Sequence, residues 1–250
     1  MITRLTLSIV VGALFVLVGC TKPNSQSTTI KPPASEPLFV SKIDPDIHPA
    51  QPETVDIGEG FLVRAAHSED YGRFKVYWDI VLLHDGAEVY SDTSNEYEFC
   101  STQFPRVRRL TSNGFEILLT VNDRPNKNKL LLLRVKEDQV FRSVELPDFL
   151  SGAKDLAGDG KLRLAGLWDY SEVWESDDGN PVTDYNPILY YVQSDTGLYL
   201  DSAYTRSKNQ TIFGTFLGFQ FSEQHPVLRS LCDSAFAREL KRIQDTTSAP

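Results

Sequence analysis

Short apolar runs separated by polar, turn-forming residues fill most of this chain, and their spacing predicts strands. Phe74 to Leu83 and Ala87 to Tyr90 flank His84-Asp85-Gly86. An Asp-Gly pair between two apolar runs predicts a tight hairpin, because both residues tolerate the positive φ such a turn requires. Leu130 to Val135 reads LLLLRV, and so continuous a run predicts a strand covered on both faces. A turn at Lys136-Glu137-Asp138 leads into a strand from Val140 to Leu146, which Pro147 is expected to stop. Ile188 to Val192 and Leu198 to Tyr204 predict another hairpin across Ser194-Asp195-Thr196-Gly197. The period lengthens only after Pro226, where Val227, Leu228, Leu231, Phe236, Leu240 and Ile243 fall near 3.6-residue spacing. One amphipathic helix is predicted there, from about residue 226 to 244, packed on the sheets.

Three of the strands follow similar turns. Asp70-Tyr71-Gly72 precedes Arg73 to Leu83, Ser112-Asn113-Gly114 precedes Phe115 to Val121, and Asp159-Gly160 precedes Leu162 to Trp168. Lys208-Asn209-Gln210 before Thr211 to Phe221 makes a poorer fourth copy. The glycines lie 42 residues apart from 72 to 114 and 46 apart from 114 to 160. That period, with several short strands in each unit, is the sequence form of propeller blades. The expected fold is therefore all-β over residues 54–250, a small propeller-like or sandwich arrangement of antiparallel strands with one C-terminal amphipathic helix.

The amino terminus carries a different pattern. A basic Arg4 precedes an uncharged 15-residue run, LTLSIVVGALFVLVG, shorter than the roughly 20 residues a membrane-spanning helix needs and suited to an export signal over residues 1–19. The run closes Leu17-Val18-Gly19-Cys20, which resembles the lipobox of bacterial lipoproteins. The resemblance implies cleavage before Cys20 and acylation of that residue, hence a membrane partner through the lipid anchor. Thr21, where an Asp would retain such a protein at the inner membrane, implies the outer membrane of a Gram-negative bacterium. Residues 20–53 then hold seven of the fourteen prolines among Ser, Thr and Lys, the composition of an extended tether.

Charge narrows the partners. Without residues 1–19 the chain keeps 24 Lys+Arg against 34 Asp+Glu, a formal charge of −10, which argues against nucleic acid and suits a basic protein or a neutral glycan. Two cysteines besides Cys20 remain, Cys100 and Cys232. In an exported protein an even pair reads as a disulfide, with two separate buried thiols as the alternative.

The glycine turn at Asp155 to Arg163 resembles the calcium loop of FG-GAP repeats, found in integrin-type propellers, whose pattern is D-x-D-x-D-G-x-x-D. Asp155 and Asp159 match its first and fifth positions and Gly160 its turn, but Ala157 and Arg163 stand where the third and ninth carboxylates belong. Calcium takes six to eight oxygen ligands, so two carboxylates beside a cation make Asp155 and Asp159 a weak metal site, and no cofactor is expected. Arg163 is expected to pair with Asp155 or Asp159 and to keep the turn's shape in place of an ion.

The segment from Trp168 to Pro187, WDYSEVWESDDGNPVTDYNP, is the expected working surface. It reads as an irregular insertion, and long irregular segments inside a compact sheet protein are often functional. The candidate partner-binding residues are Trp168, Asp169, Tyr170, Glu172, Trp174, Glu175, Asp177, Asp178 and Tyr185: aromatic anchors with an acidic rim. The alternative puts the tryptophans in the core, which fits Trp168 best. No nucleophile elbow, phosphate loop or HExxH pair is present, and the four histidines lack ligand spacing. No catalytic residue is named. The expected role is a non-enzymatic envelope protein that binds a protein partner. One variant is an inhibitor or immunity protein against a basic cell-wall-degrading hydrolase, which some FG-GAP-like lipoproteins resemble. Alternatives are a glycan hydrolase using two acids near Trp168 and Trp174, and an accessory of a secretion or surface assembly.

Overall fold

The run Leu130 to Val135 shows how the chain is built. In the computed structural model, which describes residues 53–99 and 104–245, it lies within a strand, β8 (Lys129–Lys136). The strand before it is β7 (Gly114–Val121), antiparallel and in register along its whole length. Side chains alternate faces in a strand. Accordingly Ile117, Leu119 and Val121 join Leu131, Leu133 and Val135 in a first apolar cluster, while Leu118 joins Leu130 and Leu132 in a second.

The first cluster is closed by β1 (Glu53–Gly58), β2 (Phe61–Asp70), β3 (Lys75–His84), β4 (Ala87–Asp92) and β5 (Tyr97–Glu98). The β3–β4 hairpin turns at Asp85 (φ 49°) and Gly86 (φ 88°), as the Asp-Gly signal predicts. A short arginine strand, β6 (Arg106–Arg109), borders β7 only. Arg108 pairs with Glu116, and Arg109 pairs with Glu59.

From β8 the chain turns at Glu137 and Asp138, both at positive φ, into β9 (Gln139–Phe149). Pro147 does not stop this strand. It lies opposite Lys129 of β8, and the next two residues, Asp148 and Phe149, change partner to β10 (Arg163–Leu167). β10 pairs with β13 (Leu189–Ser194), and β13 with β14 (Gly197–Leu200). Alternation repeats here. Leu164, Leu189 and Tyr191 face the second cluster, while Ala165, Leu167 and Tyr190 face a third. Strands β1 to β10, with β13 and β14, thus form one twelve-stranded antiparallel run whose β7–β8 and β10–β13 pairs enclose the second cluster between them. No closed barrel forms among the described residues.

Two helices cover the third cluster. α1 (Ser202–Phe213) covers the turn of the expected fourth copy and the first three residues of its strand, the remaining residues 214–221 are irregular, and β14 ends at Leu200 and not Tyr204. The buried face of α1 is partly polar. Asn209 accepts from the Ile188 amide at 2.9 Å and donates to the Ile188 carbonyl at 2.8 Å, while Thr205 Oγ1 accepts from the Tyr190 amide at 3.1 Å. These side chains stand in for a neighbouring strand and satisfy the backbone of β13. α2 (Arg229–Gln244) starts three residues later than predicted, because residues 222–228 form a strand, β15 (Ser222–Leu228), with Pro226 inside it. No helix among the described residues is long and apolar enough to cross a membrane.

The two halves of the sheet are locked by a buried carboxylate. Glu116 of β7 accepts from Arg134 of β8 at 3.0 Å, from Arg108, and from the Leu198 amide of β14 at 2.8 Å. Arg134 also donates to the Leu198 carbonyl at 3.0 Å. A side chain on Gly197 would lie 2.5 Å from Arg134 and 2.8 Å from Glu116, so only glycine fits the strand start.

The export signal, Cys20, the tether to residue 52 and Cys100 lie outside the described residues. Cys232 is a free thiol buried in the third cluster, and the other half of the expected bridge, Cys100, is among the residues not described.

Removing one partner of a buried pair strands the other charge, at a cost of about 3–5 kcal/mol. Glu116→Ala should therefore lower stability by about that amount in urea unfolding, and Glu116→Leu combined with Arg134→Met should recover more than half. Glu239 of α2 gives a pH-dependent counterpart. Burial opposes its ionisation. Hydrogen bonds from Arg242 and Tyr190, and the charges of Arg242 and Lys208, outweigh this and hold its carboxyl below the ordinary glutamate value. A depressed folded value adds stability above the unfolded value and loses it as pH falls through the folded one. The advantage of wild type over Glu239→Gln, about 1–3 kcal/mol for a charged hydrogen-bonded group, should be constant from neutral pH down to the glutamate range and vanish below it.

Candidate functional site

The segment expected to be irregular is an ordered hairpin. β11 (Val173–Glu175) pairs with β12 (Pro181–Tyr185), and β12 pairs on its other side with β15, making a separate three-stranded sheet. Its tip closes locally: the Ser176 amide donates to the Asn180 carbonyl at 2.9 Å and the Gly179 amide to the Ser176 carbonyl at 2.8 Å. Asp177 and Asp178 are exposed at this tip, and Glu172 and Glu175 on the strand leading to it.

The structure divides the nine candidate residues. Tyr185 is a correction: it is 0% exposed in the third cluster, its hydroxyl donating to the Gly218 carbonyl at 3.0 Å, so it anchors the hairpin and meets no partner. Burial pushes its phenol pKa up. Trp168 is half-buried against the second cluster, with its indole N–H on the Phe219 carbonyl at 3.2 Å. Tyr170 at 69% and Trp174 at 38% are exposed, with Val173 between them in sequence. Asp169 is half-buried and accepts from the Tyr170 amide at 2.6 Å.

Two clefts flank the start of this hairpin and share Tyr170, Ser171 and Asp184. The larger, about 550 Å³, brings Tyr170, Trp174 and Phe221 together with Asp169, Glu172, Asp184 and Glu223. Among the described residues none of these four carboxylates is held in an ion pair. The nearest described cation over an aromatic here is Lys127, 5.3 Å from the Tyr170 ring centre and bound to Asp148 at 2.7 Å. The smaller cleft, about 190 Å³, reaches inward between the hairpin and the helices, to Phe213, Phe236 and Cys232. Burial, with Asp233 nearby, pushes the Cys232 thiol up, away from the thiolate a nucleophile needs.

No family model, no curated protein and no solved structure matches the chain. The reading of the site therefore stands on its residues alone.

Asn186 and Ser171 escaped the sequence reading, and Asp184, one of the acids of the segment, stood outside the nine candidates. Asn186 is 2% exposed; its Nδ2 donates to the Asp169 carbonyl at 2.7 Å and to Ser171 Oγ at 2.9 Å. Ser171 sits at φ 62°, a left-handed conformation uncommon for serine. Asp184 is 4% exposed and accepts from the Glu172 amide at 3.1 Å. An Asn or Ser after an aromatic carries no local signal for such a role. Phe221 and Glu223 arrive from β15, more than thirty residues downstream of β12, and only strand pairing brings them in.

The glycine turn is also resolved in its geometry. Asp155 accepts from the amides of Ala157, Gly158, Asp159 and Gly160 at 2.8 to 3.3 Å, which holds its carboxyl below the usual range. Arg163 pairs with Asp159, not Asp155, through two bonds of 2.7 and 2.8 Å, and with Asp201 at 3.0 Å. Asp201 caps α1 by accepting from the Tyr204 amide at 3.1 Å. Lys154 donates to the Ile243 and Asp245 carbonyls at the end of α2. The turn therefore binds both helices. Among the described residues no group of three His, Cys, Asp or Glu side chains is placed to hold a metal ion.

Proposed function

We propose that this chain is an exported, lipid-anchored envelope protein without enzymatic activity, and that its β11–β12 hairpin docks a basic protein partner. The observation that carries the reading is the join of exposed aromatics with unpaired acids on one ordered element. Tyr170, Val173 and Trp174 offer apolar area, and Glu172, Glu175, Asp177 and Asp178 surround it, none of them in an ion pair among the described residues. Aromatic residues are the usual anchors of protein interfaces, and complementary charge raises association rates and selects partners. The formal charge of −10 after Cys20 favours the same kind of partner, and a basic cell-wall hydrolase held by an inhibitor fits that description.

Affinity capture from envelope extract on the immobilised mature chain, beside a column carrying Trp174→Ala with Glu175→Ala, tests the reading. A basic protein held by the wild type should be lost from the variant, and its retention should fall as salt rises. Equal retention on both columns, or release of reducing sugar from envelope glycans, would replace this reading.

We further propose that the Asp155–Arg163 turn works without an ion. A calcium site filled at about a hundred times its Kd adds roughly 2.7 kcal/mol, several degrees in melting temperature for a domain of this size. Melting in millimolar calcium should instead match melting in a chelator.

A further inference from the structure

Two buried polar side chains, Asp184 and Asn186, line the smaller cleft. Of the three side-chain polar atoms among the described residues that are buried without a hydrogen-bond partner, Thr120 Oγ1, Asn122 Oδ1 and Asn186 Oδ1, only that of Asn186 belongs to a residue lining this cleft. The amide cannot be turned over to hide the defect, since Nδ2 is committed to the Asp169 carbonyl and Ser171 Oγ, both acceptors toward it. A buried acceptor left unmade is costly and calls for a donor. Beside it lies Asp184, buried, outside any ion pair among the described residues, and using one oxygen for the Glu172 amide. Two acceptors, one of them charged, thus line the same small space.

We infer that this cleft receives a lysine side chain of the docked partner, its ammonium placed against Asp184 at the end of the cleft that Asn186 lines. The inference rests on the docking reading for the source of that side chain. Size and chemistry both select it. At about 190 Å³ the cleft is below the 300–1,000 Å³ of drug-sized sites, so it suits one side chain and not an oligosaccharide. Val173, Phe213 and Phe236 line the path and match a four-carbon stem. Tyr170 offers a ring for the cation. An ammonium has three donors and no acceptor, which fits the Asp184 carboxylate. A guanidinium fits less well. Its fork is best met by both oxygens of a carboxylate, and one Asp184 oxygen already serves Glu172. The cation at the rim, Arg229, is bound to Asp233 at 2.6 Å and so is not the missing charge.

The test uses the purified mature protein and two probes that share a stem, Nα-acetyl-lysine methylamide and Nα-acetyl-norleucine methylamide, followed by the side-chain amide signals of Asn186 in NMR. The lysine probe should shift those signals saturably and bind at least about tenfold tighter than the norleucine probe, the ratio expected from one charged hydrogen bond. Asp184→Asn keeps an oxygen for the Glu172 amide and should weaken the lysine probe about tenfold while leaving the norleucine probe unchanged. Equal binding of the two probes to the wild type, or no shift at Asn186 with either, would overturn the inference whether or not the variant folds. If the lysine probe fails while capture still depends on Trp174, the pocket falls and the docking surface stands. If the probe binds but nothing is captured, the ammonium site stands and the docking surface falls.

Discussion

A single buried carboxylate, Glu116, fixes how the two halves of this sheet meet, beside the β9–β10 pairing and the second apolar cluster that also join them. Strands β1 to β9 are joined by short antiparallel connections and need little beyond local pairing. The β13–β14 hairpin is far from β7 in sequence, and besides its pairing with β10 and its packing in the second cluster it is held by polar bonds from Glu116, Arg134 and Arg108. Burying that much charge is worthwhile only when each partner is satisfied. Here Glu116 meets two guanidinium groups and a backbone amide, and Arg134 lies 4.7 Å from the Tyr199 ring centre as well. Gly197 is the steric condition for the arrangement, because any Cβ would push the pair apart.

From that lock the order propagates outward by contact. β13 presents Tyr190 to the third cluster and its backbone to Asn209 and Thr205, which places α1. The glycine turn before β10 then binds α1 through Arg163 and Asp201 and α2 through Lys154. β15 runs directly into α2, so fixing the helix fixes the strand that completes the small sheet. The exposed hairpin is thus an edge element on a rigid base, with Tyr185 as its root in the core. Surfaces that bind gain from such a base, because less ordering is needed on contact.

The glycine turn before β10 satisfies its two aspartates from within the chain, Asp155 by four backbone amides and Asp159 by the Arg163 guanidinium. The guanidinium supplies positive charge at a fixed place and, unlike an ion, is covalently part of the strand it starts. It also pairs with Asp201, the residue that caps α1.

Much of the strand content was legible in the sequence, and for a physical reason. Alternation, continuous apolar runs and Asp-Gly turns are local consequences of a two-residue period and of which residues tolerate positive φ, so β3, β4, β7, β8 and the β13–β14 turn could be read directly. The acid and aromatic character of the working segment was legible too. What only the tertiary structure decided was how those elements meet. α1 was hidden because its buried face uses Thr205 and Asn209, whose value lies in the backbone groups of a distant strand. Pro226 reads as a helix start, yet it sits inside β15, where pairing with β12 overrides the local signal. Tyr185 and Tyr170 look alike in sequence, and one is core and the other surface. Asn186 gains its meaning from being buried beside Asp184, a relation set by packing and not by any pattern along the chain.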